Sequence, residues 1–356
     1  MIRKIAVTSL VLLSAVVGPA ATKTAQAEGP PPVIIKLGTL APKASSWGTV
    51  FESWKRTVKK ESAAAGSPCE IDWAYSGGAT GDEAGMIGGM LSGDRHGGAL
   101  TATGLSAIYP SVVALQMPGL VDTWAQLDAL RTKARGEFDK AFEAKGFKIL
   151  GWGDVGVGHI MFKDPLKTPG NPADGFSKPE IRTPNDLKNY KTFSIAGDAI
   201  GAKFLEAVGI ASPKQLSVPA ILPGLTGGSV DVITTPAIAA EQLQWGPLLT
   251  HVVDMPVGFG IGALIIKKDF YASLPEKCRT IFEETGKNTS TTLTSTIRDV
   301  DEKAWQELKR TKKVIALTDA EKAAWQEKFK FVRQKLKDEG KIEAATWDAV
   351  VKASGK

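Results

Sequence analysis

Gly197-Asp-Ala-Ile-Gly-Ala-Lys203 is the nearest this chain comes to a phosphate-cradling loop. The glycine spacing differs from that of a P-loop, and no Ser or Thr follows the lysine to meet a metal ion. Gly77-Gly-Ala-Thr-Gly-Asp-Glu83 is glycine-rich without the dinucleotide spacing. It reads as a turn into a helix, with Asp82 and Glu83 set against the positive end of the helix dipole. There is no G-x-S-x-G nucleophile elbow and no H-E-x-x-H zinc helix. His96, His159 and His251 are scattered, so neither a histidine-based metal site nor any other cofactor is expected. Cys69 and Cys278 form an even pair, which either closes a disulfide or leaves two buried thiols. A catalytic reading would need an unrecognised site, such as two opposed carboxylates in a closed cleft.

The elements around these residues suggest what could bring them together. Val33–Thr39 has the branched apolar residues of a short strand, and Glu70–Tyr75 alternates as a second. Between them, Ser45-Ser46 opens a helix carrying Trp47, Val50, Phe51, Trp54 and Val58 at helical spacing. A further helix starts at Asp82, with Met86, Ile87 and Met90. Gly97 to Thr103 has the small apolar character of a buried strand. Strands are also predicted at Phe147–Trp152, Lys191–Ala196 and Ser229–Ile233, and Gly260–Lys267 is a buried connecting strand. A helix is predicted over Ala199–Val208. Lys167 to Pro184 is a Pro/Gly-rich loop. Such alternation implies an α/β fold on a largely parallel sheet. The tail differs: Leu274–Leu308 and Thr318–Glu339 are long amphipathic helices, the second opened by a Thr318/Glu321 capping box.

The first 27 residues read as a secretory leader. Arg3 and Lys4 precede an apolar run from Ile5 to Val17, and Ala25-Gln-Ala27 is a small-x-small cleavage signal. The run is shorter than the roughly 20 residues that span a bilayer. Export followed by cleavage near Glu28 is expected, giving a soluble extracytoplasmic, periplasmic protein. The chain's net charge of +6 includes Arg3, Lys4 and Lys23, which leave with that segment. The remainder is too evenly charged for a nucleic-acid partner, where a basic stripe is expected.

Several stretches, in order, resemble the substrate-binding proteins of TRAP transporters. They are Lys36-Leu-Gly-Thr-Leu-Ala-Pro-Lys-Ala-Ser-Ser-Trp47, Ser76-Gly-Gly-Ala-Thr-Gly-Asp-Glu83, Gly104-Leu-Ser106 and Leu115-Gln-Met-Pro-Gly119. Arg182-Thr-Pro-Asn-Asp-Leu-Lys188 and Gly228-Ser-Val-Asp-Val-Ile-Thr-Thr-Pro236 continue the series. The resemblance implies a two-lobed clamshell fold that closes on a small molecule, with long C-terminal helices bracing both lobes. It places lobe I at 33–157 plus 252–300 and lobe II at 158–251 plus 301–356. It also implies that the ligand passes to an integral membrane permease and that nothing is hydrolysed. Lipid-traffic or sensory receptors without a permease, and receptors of ATP-driven importers, share the two-lobed plan.

The chain departs from the family where charge matters. Most members clamp a ligand carboxylate with an arginine, whose planar fork fits that group. At that position this chain has Phe193 or Ser194, depending on a one-residue shift. Asp164 stands where a second arginine is common, and Thr235 replaces the asparagine of the family's "E-N-P". A buried carboxylate lacking a partner is costly, so an apolar or weakly polar ligand is expected, such as a lipid-like or aromatic monoacid. Lys163 or His159 could meet one carboxylate. By resemblance the ligand contacts fall on Trp47, Glu83, Thr103, Gly104, Trp152, His159, Phe193, Ser194, Thr235, Pro236, Ala237, Trp245 and Phe259. A core role is the alternative for each aromatic residue.

Overall fold

The computed structural model describes residues 31–164 and 178–355; the expected leader and most of the expected loop after Lys167 lie outside them. Strand β1 (Val33–Thr39), helix α1 (Ser46–Ala64), β2 (Cys69–Ala74), α2 (Glu83–Ser92) and β3 (Gly97–Thr101) follow the expected order. Ser45 caps α1 by accepting the Gly48 N–H (3.1 Å), and Asp82 caps α2 by accepting the Gly85 N–H (2.7 Å). The strand expected to reach Thr103 stops at Thr101, because Ala102–Ser106 winds into a short helix, α3. The small residues there carry no period that separates strand from helix.

Helix α4 (Trp124–Ala144) was not anticipated. Its buried face is nonetheless written at helical spacing by Leu127, Leu130, Ala134, Phe138 and Phe142, and Thr123 with Gln126 forms a capping box. Strand β4 (Phe147–Phe162) runs 16 residues, and β8 (His251–Lys267) runs 17. Between them come β5 (Phe193–Ile195), α5 (Ala199–Ala207), β6 (Lys214–Leu216), α6 (Val218–Thr226), β7 (Val232–Pro236) and α7 (Ala237–Gln242). The chain continues through α8 (Lys268–Ser273), α9 (Glu276–Thr311), β9 (Lys313–Ile315), α10 (Asp319–Asp338) and α11 (Ala344–Ser354).

The main sheet has the order β2-β1-β3-β8-β4-β7, with β9 alongside β8, and β5 and β6 form a separate parallel pair. The sheet is mixed rather than largely parallel. β1 pairs β2 and β3 in parallel, whereas β8 is antiparallel to β3 and β4, and β4 to β7. The glycines and Pro256 of β8 read as breaks in sequence, yet the strand passes through them using irregular register against β4. At one such irregularity Gly156 has φ +126°. A Cβ there would come within 2.6 Å of Pro236 and 2.9 Å of Asp301.

The long strands feed two separate regions, each with apolar layers on both faces of its part of the sheet. In β8, Ala263 and Ile265 enter a core with α4, while Leu264 and Ile266 enter another with α1 and β2. At the other end of β4, Ile160 and Phe162 join a core with Trp325, and Met161 joins one with Trp245. The α/β fold is thus two-lobed, and the tail helices brace it. α9 contributes Phe282 and Leu293 to one lobe and Trp305 and Leu308 to the other. α10 places Trp325 and Phe329 in one lobe and Val332 and Leu336 in the other. The expected capping box of Thr318 and Glu321 opens α10. Cys69 and Cys278 form a disulfide, with Cα atoms 6.2 Å apart, tying the start of α9 to the edge strand β2.

Candidate functional site

A cavity of about 210 Å³ opens where the two lobes face each other. One wall comes from the end of β1 and the loop after it, Trp47 and Phe51 of α1, and Ala99 to Thr101 of β3. The opposite wall is Ile195, Val218, Thr234 to Pro236, Ala239, Leu243 and Trp245. The middles of β4 and β8 form the floor, with Leu293 of α9. At the rim, the Ser46 backbone N–H donates to Gln242 Oε1 (2.8 Å), and Gln242 Nε2 donates to Ser46 Oγ (2.7 Å). That reciprocal pair joins the first residue of α1 to the last of α7, next to Trp47 and Leu243.

Four of the expected contact residues line this cavity: Trp47, Thr235, Pro236 and Trp245. Trp47 Nε1–H reaches the Asp154 carbonyl only at 3.4 Å, at the long end of hydrogen bonding. Glu83 lies behind the wall, accepting the Thr101 N–H and hydroxyl at 2.6 Å each. Burial pushes its carboxyl up to about 7. Gly104 is packed onto Glu83, so closely that a Cβ would sit 2.6 Å from its carboxyl carbon. Thr103 borders Gly197 across from α5. Ser194 is buried and accepts from Gln215 Nε2 at 2.5 Å. Phe193 packs on the core around Trp245, and Ile195, two residues on, is the β5 residue that reaches the cavity. Ala237 is fully buried at the start of α7.

Trp152 and Phe259 lie elsewhere. Trp152 borders a separate hollow with Arg131 and Arg298, and Phe259 stands edge-on to Trp124 at 4.6 Å. Neither expected carboxylate partner reaches the cavity. His159 is buried and stacked on Trp305 at 3.7 Å, and burial lowers its imidazole to about 4, leaving it uncharged at neutral pH. Lys163 Nζ donates to the Leu225 carbonyl at 2.5 Å. Among the described residues, no lysine, arginine or histidine lines the cavity, and Asp154 is the one ionisable residue in its wall.

Asp154 was not singled out in sequence, and it explains where the nearby cations go. Its side chain is sealed from solvent between Arg131 (2.6 Å) and Arg298 (2.7 Å). Asp128 completes the cluster, accepting from Arg131 at 2.7 Å and from Arg298 at 2.6 and 2.8 Å. Hydrogen bonding from Arg298 holds the Asp128 carboxyl below its usual range. The Arg298 guanidinium also lies 4.5 Å over the Trp124 ring. Two guanidinium groups therefore stand behind the floor of the cavity, with their forks occupied by protein carboxylates.

The chain belongs to the bacterial extracellular solute-binding proteins of family 7, whose family model matches residues 37–339. Solved structures of TRAP periplasmic solute-binding proteins share the fold. One from Ralstonia eutropha, with bound (S)-2-acetolactate, has a TM-score of 0.76 at 21% identity, covering 90% of this chain and 98% of that one. The sugar acid binding protein of Advenella mimigardefordensis, in complex with galactonate, has a TM-score of 0.75 at 16% identity, covering 91% and 98%. One from Shewanella oneidensis with bound succinate gives 0.74 at 16%, covering 91% and 100%. No curated protein matches the chain. The expected two-lobed fold is thus shared with these structures, and the chain is an extracellular solute-binding protein of family 7. No helix among the described residues is long and apolar enough to cross a membrane.

Proposed function

We propose that this receptor captures an apolar or weakly polar small organic molecule by closure of its lobes and delivers it to the membrane subunits of a TRAP permease. The observation that carries this reading is the cavity wall: Trp47, Phe51, Ile195, Val218, Leu243, Trp245 and Leu293 contribute apolar surface, and no cationic side chain among the described residues joins them. Moving a carboxylate from water into such a wall without a positive partner costs several kcal/mol. The ligand thus differs in class from the acids named for the related structures above.

Export by cleavage after Ala27 and a lobe division at 33–157 plus 252–300 against 158–251 plus 301–356 belong to the same proposal. The hinge then lies in the irregular middles of β4 and β8, where Asp301 of α9 accepts the Val157 N–H (2.7 Å) and the Ile238 N–H (3.0 Å). The protein binds and releases without catalysis or cofactor. Calorimetric titration of ligand-free protein tests the reading: hydrophobic monocyclic compounds bind, while succinate and galactonate give no heat. Tight binding of succinate or galactonate alone contradicts it.

A further inference from the structure

Within that proposed apolar site, we infer that Thr235 and Trp245 read one uncharged oxygen acceptor on a ligand the size of a single ring. The size follows from the cavity. An apolar cavity of about 150 Å³ holds a benzene molecule, and this one has about 210 Å³, enough for a ring with a short substituent.

The acceptor follows from which polar atoms are left over. Thr39 Oγ1 already accepts the Ala41 N–H, the Thr101 hydroxyl donates to Glu83, and Thr234 is exposed, on the face of β7 opposite Thr235. The Asp154 carboxylate is sealed between two arginines. Thr235 Oγ1 and Trp245 Nε1 have no hydrogen-bond partner within the described chain, and neither is among its sealed, unpaired polar atoms. Both residues line the cavity and are themselves less than one-tenth exposed. Thr235 lies on the same face of β7 as Ile233, which packs in the core that contains Trp245. Both residues belong to the wall that faces Trp47 and β3.

An indole N–H only donates, and a hydroxyl donates or accepts, so a ketone, ester or ether oxygen matches both. A carboxylate would meet two neutral dipoles and no counter-charge. A plain hydrocarbon would leave both groups unpaired in a closed site, at a cost of about a hydrogen bond.

The test uses acetophenone, ethylbenzene and benzoate on the native protein, on Thr235→Val, which exchanges the hydroxyl for a methyl of similar size, and on Trp245→Phe, which removes the N–H together with one ring. Acetophenone binds about fivefold or more tighter than ethylbenzene, and each substitution removes about three- to tenfold of its affinity. Thr235→Val lowers acetophenone affinity relative to ethylbenzene, and Trp245→Phe, which also removes wall surface, lowers acetophenone affinity by more than ethylbenzene affinity; the unfolding midpoint in urea reports that both variants are folded, and benzoate does not bind. If acetophenone binds no better than ethylbenzene, or keeps its affinity in both variants, the inference fails while the apolar site stands. If benzoate or succinate binds and the neutral compounds do not, both readings fail.

Discussion

The cavity between the lobes and the cluster just behind its floor have opposite characters. The cavity wall is mostly apolar and, among the described residues, carries no cation, while the cluster holds Arg131, Arg298, Asp128 and Asp154 in close ion pairs. Positive charge is therefore present near the cleft but turned inward. Asp154 belongs to both regions: it stands in the cavity wall, and its carboxylate faces the arginines. The contrast assigns the charges to fixing α4, β4 and α9 against one another. In the proposed function, selection of the ligand is left to shape and to a few neutral dipoles.

Breaking the cluster should produce the largest effect on the fold. Asp154→Ala leaves Arg131 and Arg298 with only the half-exposed Asp128 between them. Removing one partner of a buried pair costs about 3–5 kcal/mol, so a loss of about 3 kcal/mol is expected in urea unfolding. A loss below about 1 kcal/mol would show that the cluster does not hold the lobe together.

Opening the rim should affect binding more than stability. Gln242→Ala removes both hydrogen bonds to Ser46. At about 1 kcal/mol for each bond, ligand release measured by stopped flow should quicken about five- to thirtyfold, with the unfolding midpoint nearly unchanged. An unchanged release rate would mean that this pair does not help keep the clamshell closed.

The smallest effect is a pH dependence that touches the fold and spares the cavity. His159 and His251 are both lowered by burial to about 4, against a usual value near 6.5. Between those values the unfolded chain binds the protons more readily, so their contribution to stability is present above about 6.5 and is lost as pH falls toward 4. His159→Gln should flatten that part of the stability profile relative to the native protein. Among the described residues no ionisable atom is open to the cavity, and Glu83, which burial raises to about 7, meets it only through Thr101; ligand affinity should therefore change less than about twofold from pH 6 to 8 in Glu83→Gln, and a larger change there would place a titrating group in the site itself.

Much of the frame was legible from sequence because its signals are local. The Ser45 and Asp82 caps, the Thr318/Glu321 capping box and the amphipathic α9 and α10 all depend on residues within a few turns of one another. The antiparallel crossing of β4 and β8 was not legible, because Gly156, Pro256, Gly258 and Gly260 signal breaks locally, and only pairing with a distant strand carries the chain through them. The helical stripe of α4, from Leu127 to Phe142, is local and present in the sequence. In the site, the family resemblance points to Trp47, Thr235, Pro236 and Trp245, which line the cavity. It also expects contacts at Trp152, Phe259 and His159, which lie outside this cavity because their side-chain directions depend on bulges and on stacking partners on other elements. Asp154, Arg131 and Arg298 lie far apart in sequence, so no spacing rule joins them.

Mass spectrometry of the small molecules released when the exported protein is purified and denatured tests the central claim most directly. An uncharged or weakly polar compound of about single-ring size, released in near-stoichiometric amount, is the predicted result. A dicarboxylate, hydroxy acid or sugar acid in that amount would contradict it.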